Sequence, residues 1–191
     1  IIFPKNLFDL NTLQLFGNTI YLVFLSSIVL VIFSFISNYG NRVTKSKFLN
    51  YLTTFSITGY AIPGVILAVA FITFIAWFDD TFVKAFEFNS IKKIFIGSVF
   101  GLVIVYFIRF YSLAYNGLKT GYERINRSID ESSYLLGYSK IKTFLGIHVP
   151  YLKNSIFLIG ILITIEVIKE LPMTLILRPF NFETFATTAY I

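Results

Sequence analysis

RSIDESSYLLGYSKIKTFLGIHVP, residues 127–150, decides how this chain is read. It is a polar interval between long apolar runs, yet it carries the signals of ordered helices. Ser128 followed by Glu131 forms a capping box, in which the hydroxyl accepts from first-turn amides and the carboxylate reaches back to the Ser128 amide. Asp130 adds negative charge at the same helix start, where the macrodipole favours it. Gly137 suits the left-handed conformation that ends such a helix. Ser139 then caps a second one, with Ile141, Phe144, Leu145 and His148 at i, i+3, i+4 and i+7. Pro150 suits the first turn of the apolar helix that follows. The pattern predicts helix, turn, helix, feeding directly into a membrane span.

The sequence on either side sets the environment. Of 191 residues 56% are hydrophobic and only 14% charged, with a mean hydropathy of +0.76. That leaves too few polar residues to coat a soluble globule, and the apolar residues fall in runs. A spanning helix needs about 20 such residues. Four windows qualify, at about 15–37, 52–78, 94–115 and 151–171, with the polar insert at 116–150. The expected fold is therefore all-α and transmembrane.

Charge placement orients the set. The first loop holds Arg42, Lys45 and Lys47 with no acid, and the insert adds Lys119, Arg124, Arg127, Lys140 and Lys142. The second loop balances Lys84, Lys92 and Lys93 against Asp79, Asp80 and Glu87. The positive-inside rule puts the first loop and the insert in the cytoplasm, and four crossings then alternate without conflict. The net charge of +6 is spent on topology and anionic lipid, so nucleic acid is not implied. With no cysteine and a single histidine, the chain offers no thiolate site or histidine cage for a metal. It also lacks a phosphate-cradling glycine loop with its lysine, so no catalytic residue is assigned and energy must come from a partner.

Within the spans, Pro63 and Gly64 interrupt the second window. The interruption reads equally as a packed kink or as a helix lining a pathway. Arg109 falls late in the third window and is expected to snorkel to the cytoplasmic interface. In the fourth window a 1.5 Å rise per residue puts Glu166 and Glu170 about 24 and 30 Å from Pro150, on one helix face with Lys169 beside them. Charges at that depth face a bundle interior, a wet cavity or the outer rim. For the insert, the residues alone leave two readings open: an interfacial amphipathic hairpin, or a docking element.

The spacing inside the insert carries a resemblance. Glu131-Ser132-Ser133, three residues, Gly137, nine residues, then Ile147-His148-Val149-Pro150 resembles the EAA loop of binding-protein-dependent ABC importer permeases. Serines replace both alanines of that pattern, and Val149 replaces a leucine. "KELPMTLILRPFNFETFATTAY" (169–190), "YAIPG" (60–64) and the Arg109-Phe110 pair resemble the ferric-iron branch of that family.

The resemblance implies a type I importer permease core in a bacterial inner membrane, with a cytoplasmic coupling helix-turn-helix. Glu131, Ser132, Ser133, Gly137, Ile147 and Pro150 would couple to a cytoplasmic ABC ATPase dimer. Pro63, Gly64, Glu166, Lys169, Glu170 and Pro172 would border the translocation pathway, and Arg178 and Pro179 would meet a periplasmic substrate-binding protein. A second permease half, identical or fused, would complete the pathway. ATP and magnesium would bind the ATPase, and no cofactor or metal would reside in this chain. Ferric iron is the expected cargo, although related permeases carry thiamine, polyamines or sulfate. A channel or secondary carrier without an ATPase is the alternative from another class. Such permeases have further spans on both sides, so the chain, read as one permease domain over 1–191, is expected to be incomplete at both ends.

Overall fold

Proline dictates the largest departure from the expected spans. The structure, a computed structural model, describes residues 10–44, 46–86 and 97–190, and the described residues are helical with short connections. The second window is not one kinked rod. It divides into α2 (Lys47–Ile57), a 3-10 turn (Thr58–Ala61) and α3 (Gly64–Phe86), with the two arms bent by 117°. Pro63 has no amide hydrogen to continue the ladder and drives the preceding residue out of the helical region. Ile62 is accordingly extended, at φ −83° and ψ 128°. Ser46 caps α2, whose Phe48, Tyr51 and Phe55 are exposed while Thr53 is buried. That distribution suits a helix lying along a bilayer surface.

The first and third windows extend beyond their apolar runs. α1 covers Leu10–Thr44 and α4 covers Val99–Glu123. Asn38 donates to Ser34 O and to Tyr115 O on α4, and Asn41 donates to the Tyr115 hydroxyl, so polar residues after the apolar run remain useful inside helix. Ser98 caps α4 by accepting from the Gly101 amide at 3.0 Å. The expected start near Ile94 lies outside the described residues, as do Lys45, Glu87, Lys92, Lys93 and the side chains of Asp79 and Lys84.

The fourth window begins earlier than expected. After α5 (Arg127–Leu135) and the turn at Gly137 come α6 (Lys140–Thr143), a π turn (Phe144–His148) and α7 (Val149–Lys169). These last three form one continuous helical run, Lys140–Lys169. Pro150 does fall in the first turn of α7, as expected, but that helix continues α6 and the π turn without a break. The Val149 amide donates to Phe144 O, five residues back. This wider turn sits directly before a residue that cannot join an ordinary ladder. Among the described residues three helices are long and apolar enough to cross a membrane, or up to four if the bent pair counts as one crossing.

α4 is the hub of the bundle. Its Leu102, Tyr106, Phe110 and Leu118 are fully buried, packed with Leu22 and Leu30 of α1 and with Leu152 and Ile163 of α7. Gly117 and Gly121 let α7 close in. A Cβ at Gly117 would stand 2.7 Å from Ile159, and one at Gly121 would stand 2.8 Å from both Leu152 and Ser155. Small residues four apart serve close helix contact in a bilayer, where packing rather than hydrophobic transfer drives association. Beyond α7, α8 (Pro172–Leu177) and α9 (Phe185–Tyr190) fold back on the bundle. There Asn18 donates to Glu183 O and the Phe185 amide donates to Thr19 Oγ1 on α1.

Candidate functional site

Two constellations stand out, one at the polar insert and one where the interrupted helix meets the end of α7. The insert is built as a bracket. Asn126, not Ser128, is the N-cap of α5, its carboxamide accepting from the Ser128 amide at 3.2 Å. Asn competes well for that position. The helix therefore starts at Arg127 and carries Ser128 and Glu131 within it. Gly137 has φ +82°, the left-handed turn expected of it. Ser139 caps α6, accepting from the Lys142 amide. Ser133 is buried and shares a 2.6 Å hydrogen bond with Thr143 across the turn, closing the bracket on itself.

What fastens the bracket to the bundle is Asp130. Its Oδ2 lies 2.6 Å from Arg42 Nε, and its Oδ1 accepts from His148 Nε2 at 2.8 Å. The same guanidinium donates to the carbonyls of Tyr122, Ile125 and Asn126 at the end of α4. Tyr39 on α1 adds a bond to Lys140 O at 2.6 Å. One carboxylate thus ties the ends of α1 and α4 to α5 and to the π turn. His148 is fully buried, with Tyr39 and Tyr122 rings at 5.2 and 5.4 Å. Sequence reasoning gave Arg42, Asp130 and His148 only local jobs, because no spacing links residues so far apart along the chain.

The opposite side of the bracket is open. Glu131 and Ser132 are exposed, and Glu131 makes no ion pair or hydrogen bond among the described residues. Leu135 and Leu136 are 89% and 78% exposed, and Tyr138 and Ile141 project beside them. A groove of about 480 Å³ runs between α5 and the π turn, lined by Ile129, Ser132, Leu136 and Ile147. Ile147 is half-buried there, and Pro150 is exposed.

At the helix break, Arg109 meets Glu170. Arg109 lies near the middle of α4 and does not snorkel to an end. Its Nε stands 3.7 Å from Glu170 Oε2, and its Nη1 donates to the carbonyl of Ile62, the extended residue just before Pro63. Glu170 is 7% exposed and also accepts from the Met173 amide. Gly64 makes room for the pair, since a Cβ there would stand 2.6 Å from Arg109 Nη1 and 2.8 Å from Glu170 Oε1. Pro172 starts α8 one turn away. The structure therefore brings Gly64 and Glu170 together at Arg109, with Pro63 and Pro172 close to them in the chain. Glu166 and Lys169 pair with each other at 2.6 Å, with Lys169 turned outward.

Arg178 and Pro179 lie in the connection between α8 and α9. Arg178 is ion-paired with Glu183 and is not simply solvated. That hydrogen bond from Arg178 holds the Glu183 carboxyl below the usual glutamate range. Phe180 next to it is 94% exposed. Among the described residues no group of three or more His, Cys, Asp or Glu could hold a metal ion.

Residues 31–179, which take in α1 from Val31 through the bracket to Pro179, match the family model of the binding-protein-dependent transport system inner membrane component. No curated protein matches the chain closely enough to compare. The match covers most of the chain, including both constellations. The chain belongs to the binding-protein-dependent transport system inner membrane component family, the membrane-embedded permeases of ABC importers.

Proposed function

We propose that the chain is a permease subunit that couples ATP hydrolysis by a separate cytoplasmic ATPase to import of ferric iron. A periplasmic binding protein delivers the cargo, and transport proceeds by alternating access across a bacterial inner membrane. The observation that carries this reading is the two-sided bracket. One side is tied to α1 and α4 through Asp130 and Arg42 and runs on without a break into α7, while the other leaves Glu131 and an apolar patch uncovered. An element fixed to three helices moves them when it is moved. Exposed Leu135, Leu136 and Tyr138 beside the Glu131 carboxylate, which has no partner among the described residues, suit a groove with an apolar floor and a basic rim. ATPase closure would bias the transport cycle through its differential affinity for the bracket's two positions.

The cargo reading rests on the resemblance of residues 60–64, 109–110 and 169–190 to the ferric-iron branch. Ferric iron is a hard cation that favours oxygen ligands. Glu166 and Glu170 are already compensated by Lys169 and Arg109, so they serve the pathway by exchanging partners and not as a resident site. Arg178, Pro179 and the adjacent Phe180 are the proposed contact for the binding protein. The deciding experiment is uptake into vesicles holding the assembled transporter. Iron should enter only with the loaded binding protein outside and ATP inside, and thiamine, a polyamine and sulfate should not. Iron flux without ATP would instead indicate a channel or secondary carrier.

A further inference from the structure

The two grooves that flank α7 differ sharply in chemistry. The one shared with α1 is lined by Ile20, Phe24, Phe157, Ile161 and Ile165, with a volume of about 600 Å³. It is almost wholly apolar. The one shared with α4, of about 660 Å³, is lined by Ser112, Asn116, Thr120 and Arg124, with Tyr60 and Ser155 across from them. The first four recur every fourth residue, so they form one stripe along a single face of α4. Asn116 donates to Ser112 Oγ at 3.3 Å, and the Thr120 hydroxyl donates to Asn116 O. The Asn116 carboxamide oxygen takes no hydrogen bond among the described residues.

The α4 span runs on to Glu123, past the expected end at 115, so Asn116 and Thr120 lie in its last turns and Arg124 just beyond them, where polar side chains face protein or water and not hydrocarbon. Asn116, Thr120 and Arg124 are exposed, so the rest of this chain does not cover them. The stripe runs from the cytoplasmic end of α4 towards the level of Arg109, where the pair with Glu170 stands. Among the described residues no carboxylate lines the groove.

We infer that the α4 face bearing Ser112, Asn116, Thr120 and Arg124, with Tyr60 and Ser155, is the cytoplasmic half of the translocation wall. It is a neutral hydrogen-bonding track for a polar cargo that keeps a shell of oxygen ligands. Arg109 and Glu170 mark its outer end. The inference rests on the importer reading and adds the residues that face the water-filled path and the chemistry they present.

Cysteine accessibility tests it directly, because the chain has no cysteine of its own. Asn116→Cys and Thr120→Cys are introduced singly into the assembled transporter in inside-out vesicles. A charged methanethiosulfonate reagent is added, and labelling is read on this chain. Phe24→Cys and Phe157→Cys serve as controls. Thiols react as thiolates, which form only in contact with water, so the stripe positions should label at least about tenfold faster than the controls. A non-hydrolysable ATP analogue that closes the ATPase should slow that labelling. Labelling no faster than the controls, or labelling indifferent to the analogue, would overturn the assignment. Neither outcome depends on which solute is carried, so the result is separable from failure of the uptake assay.

Discussion

Arg42, two residues before the end of α1, and Asp130, in the first turn of α5, meet at 2.6 Å with their side chains only 11% and 13% exposed. The carboxylate also faces buried His148, so removing it leaves a guanidinium and an imidazole without their shared acceptor. Breaking such a pair costs roughly 3 kcal/mol. Asp130→Ala should lower the thermal midpoint of the detergent-solubilised protein and expose the bracket to protease. An unchanged midpoint would show that the bracket is held by packing alone.

Glu131 is the contrasting case, one residue away and exposed. Glu131→Lys should leave the thermal midpoint unchanged, since Glu131 makes no ion pair or hydrogen bond among the described residues. It should abolish co-purification with the ATPase and the ATP-driven uptake that depends on it. If the substituted protein retains its ATPase at wild-type stoichiometry, the docking role assigned to Glu131 is wrong.

At the helix break, Glu170→Gln should reduce uptake far more than Glu166→Gln. Glu170 is buried against Arg109, whereas Glu166 pairs with a lysine that is 60% exposed. Gly64→Val should mimic Glu170→Gln by pushing the pair apart from the other side. Initial uptake rates normalised to inserted protein distinguish these cases. Equal effects of the two glutamine substitutions would remove the special role of the pair.

Close approach of α4 and α7 gives a prediction about assembly. Gly121→Leu places a side chain where Leu152 and Ser155 already stand, at 2.8 Å from the first added carbon. Overpacking of this kind costs about 1–3 kcal/mol. The variant should show a lower thermal midpoint and a shorter half-life in membranes. Gly146→Ala, where an added Cβ would meet nothing within 4 Å, should be neutral in the same assays.

The α8–α9 connection is expected to respond to acid. Glu183 has its carboxyl depressed by the hydrogen bond from Arg178, so it binds protons less readily in the folded connection than in the unfolded chain. Its stabilising contribution is complete above the ordinary glutamate range and is lost as pH falls through the depressed value. Proteolysis of residues 178–184 should therefore rise in acid. Arg178→Gln should raise cleavage at neutral pH and flatten the pH dependence.

The sequence made local features legible and left long-range ones hidden. Gly137 and Ser139 behave as their residue types demand, because a left-handed turn and an N-cap depend only on nearby backbone. The expected capping box at Ser128 fails because Asn126, two positions earlier, wins a competition between neighbouring caps. The interruption at Pro63 was visible, but not its 117° bend, which accompanies α4 packing against both arms and α8 packing against α3. Arg109 was misplaced because the apolar run ends well before α4 does. Its partner Glu170 is brought to it only by the antiparallel pairing of α4 and α7. The connection through Asp130 joins three distant segments that no periodicity relates.

The uninterrupted run from Lys140 to Lys169 has a mechanical consequence. A crankshaft with no universal joint between handle and shaft has no backlash: tilt imposed at the cytoplasmic end arrives as tilt at the far end. With the π turn carrying the helix past Pro150, a displacement at Lys140 would be passed on to the end that carries Glu170.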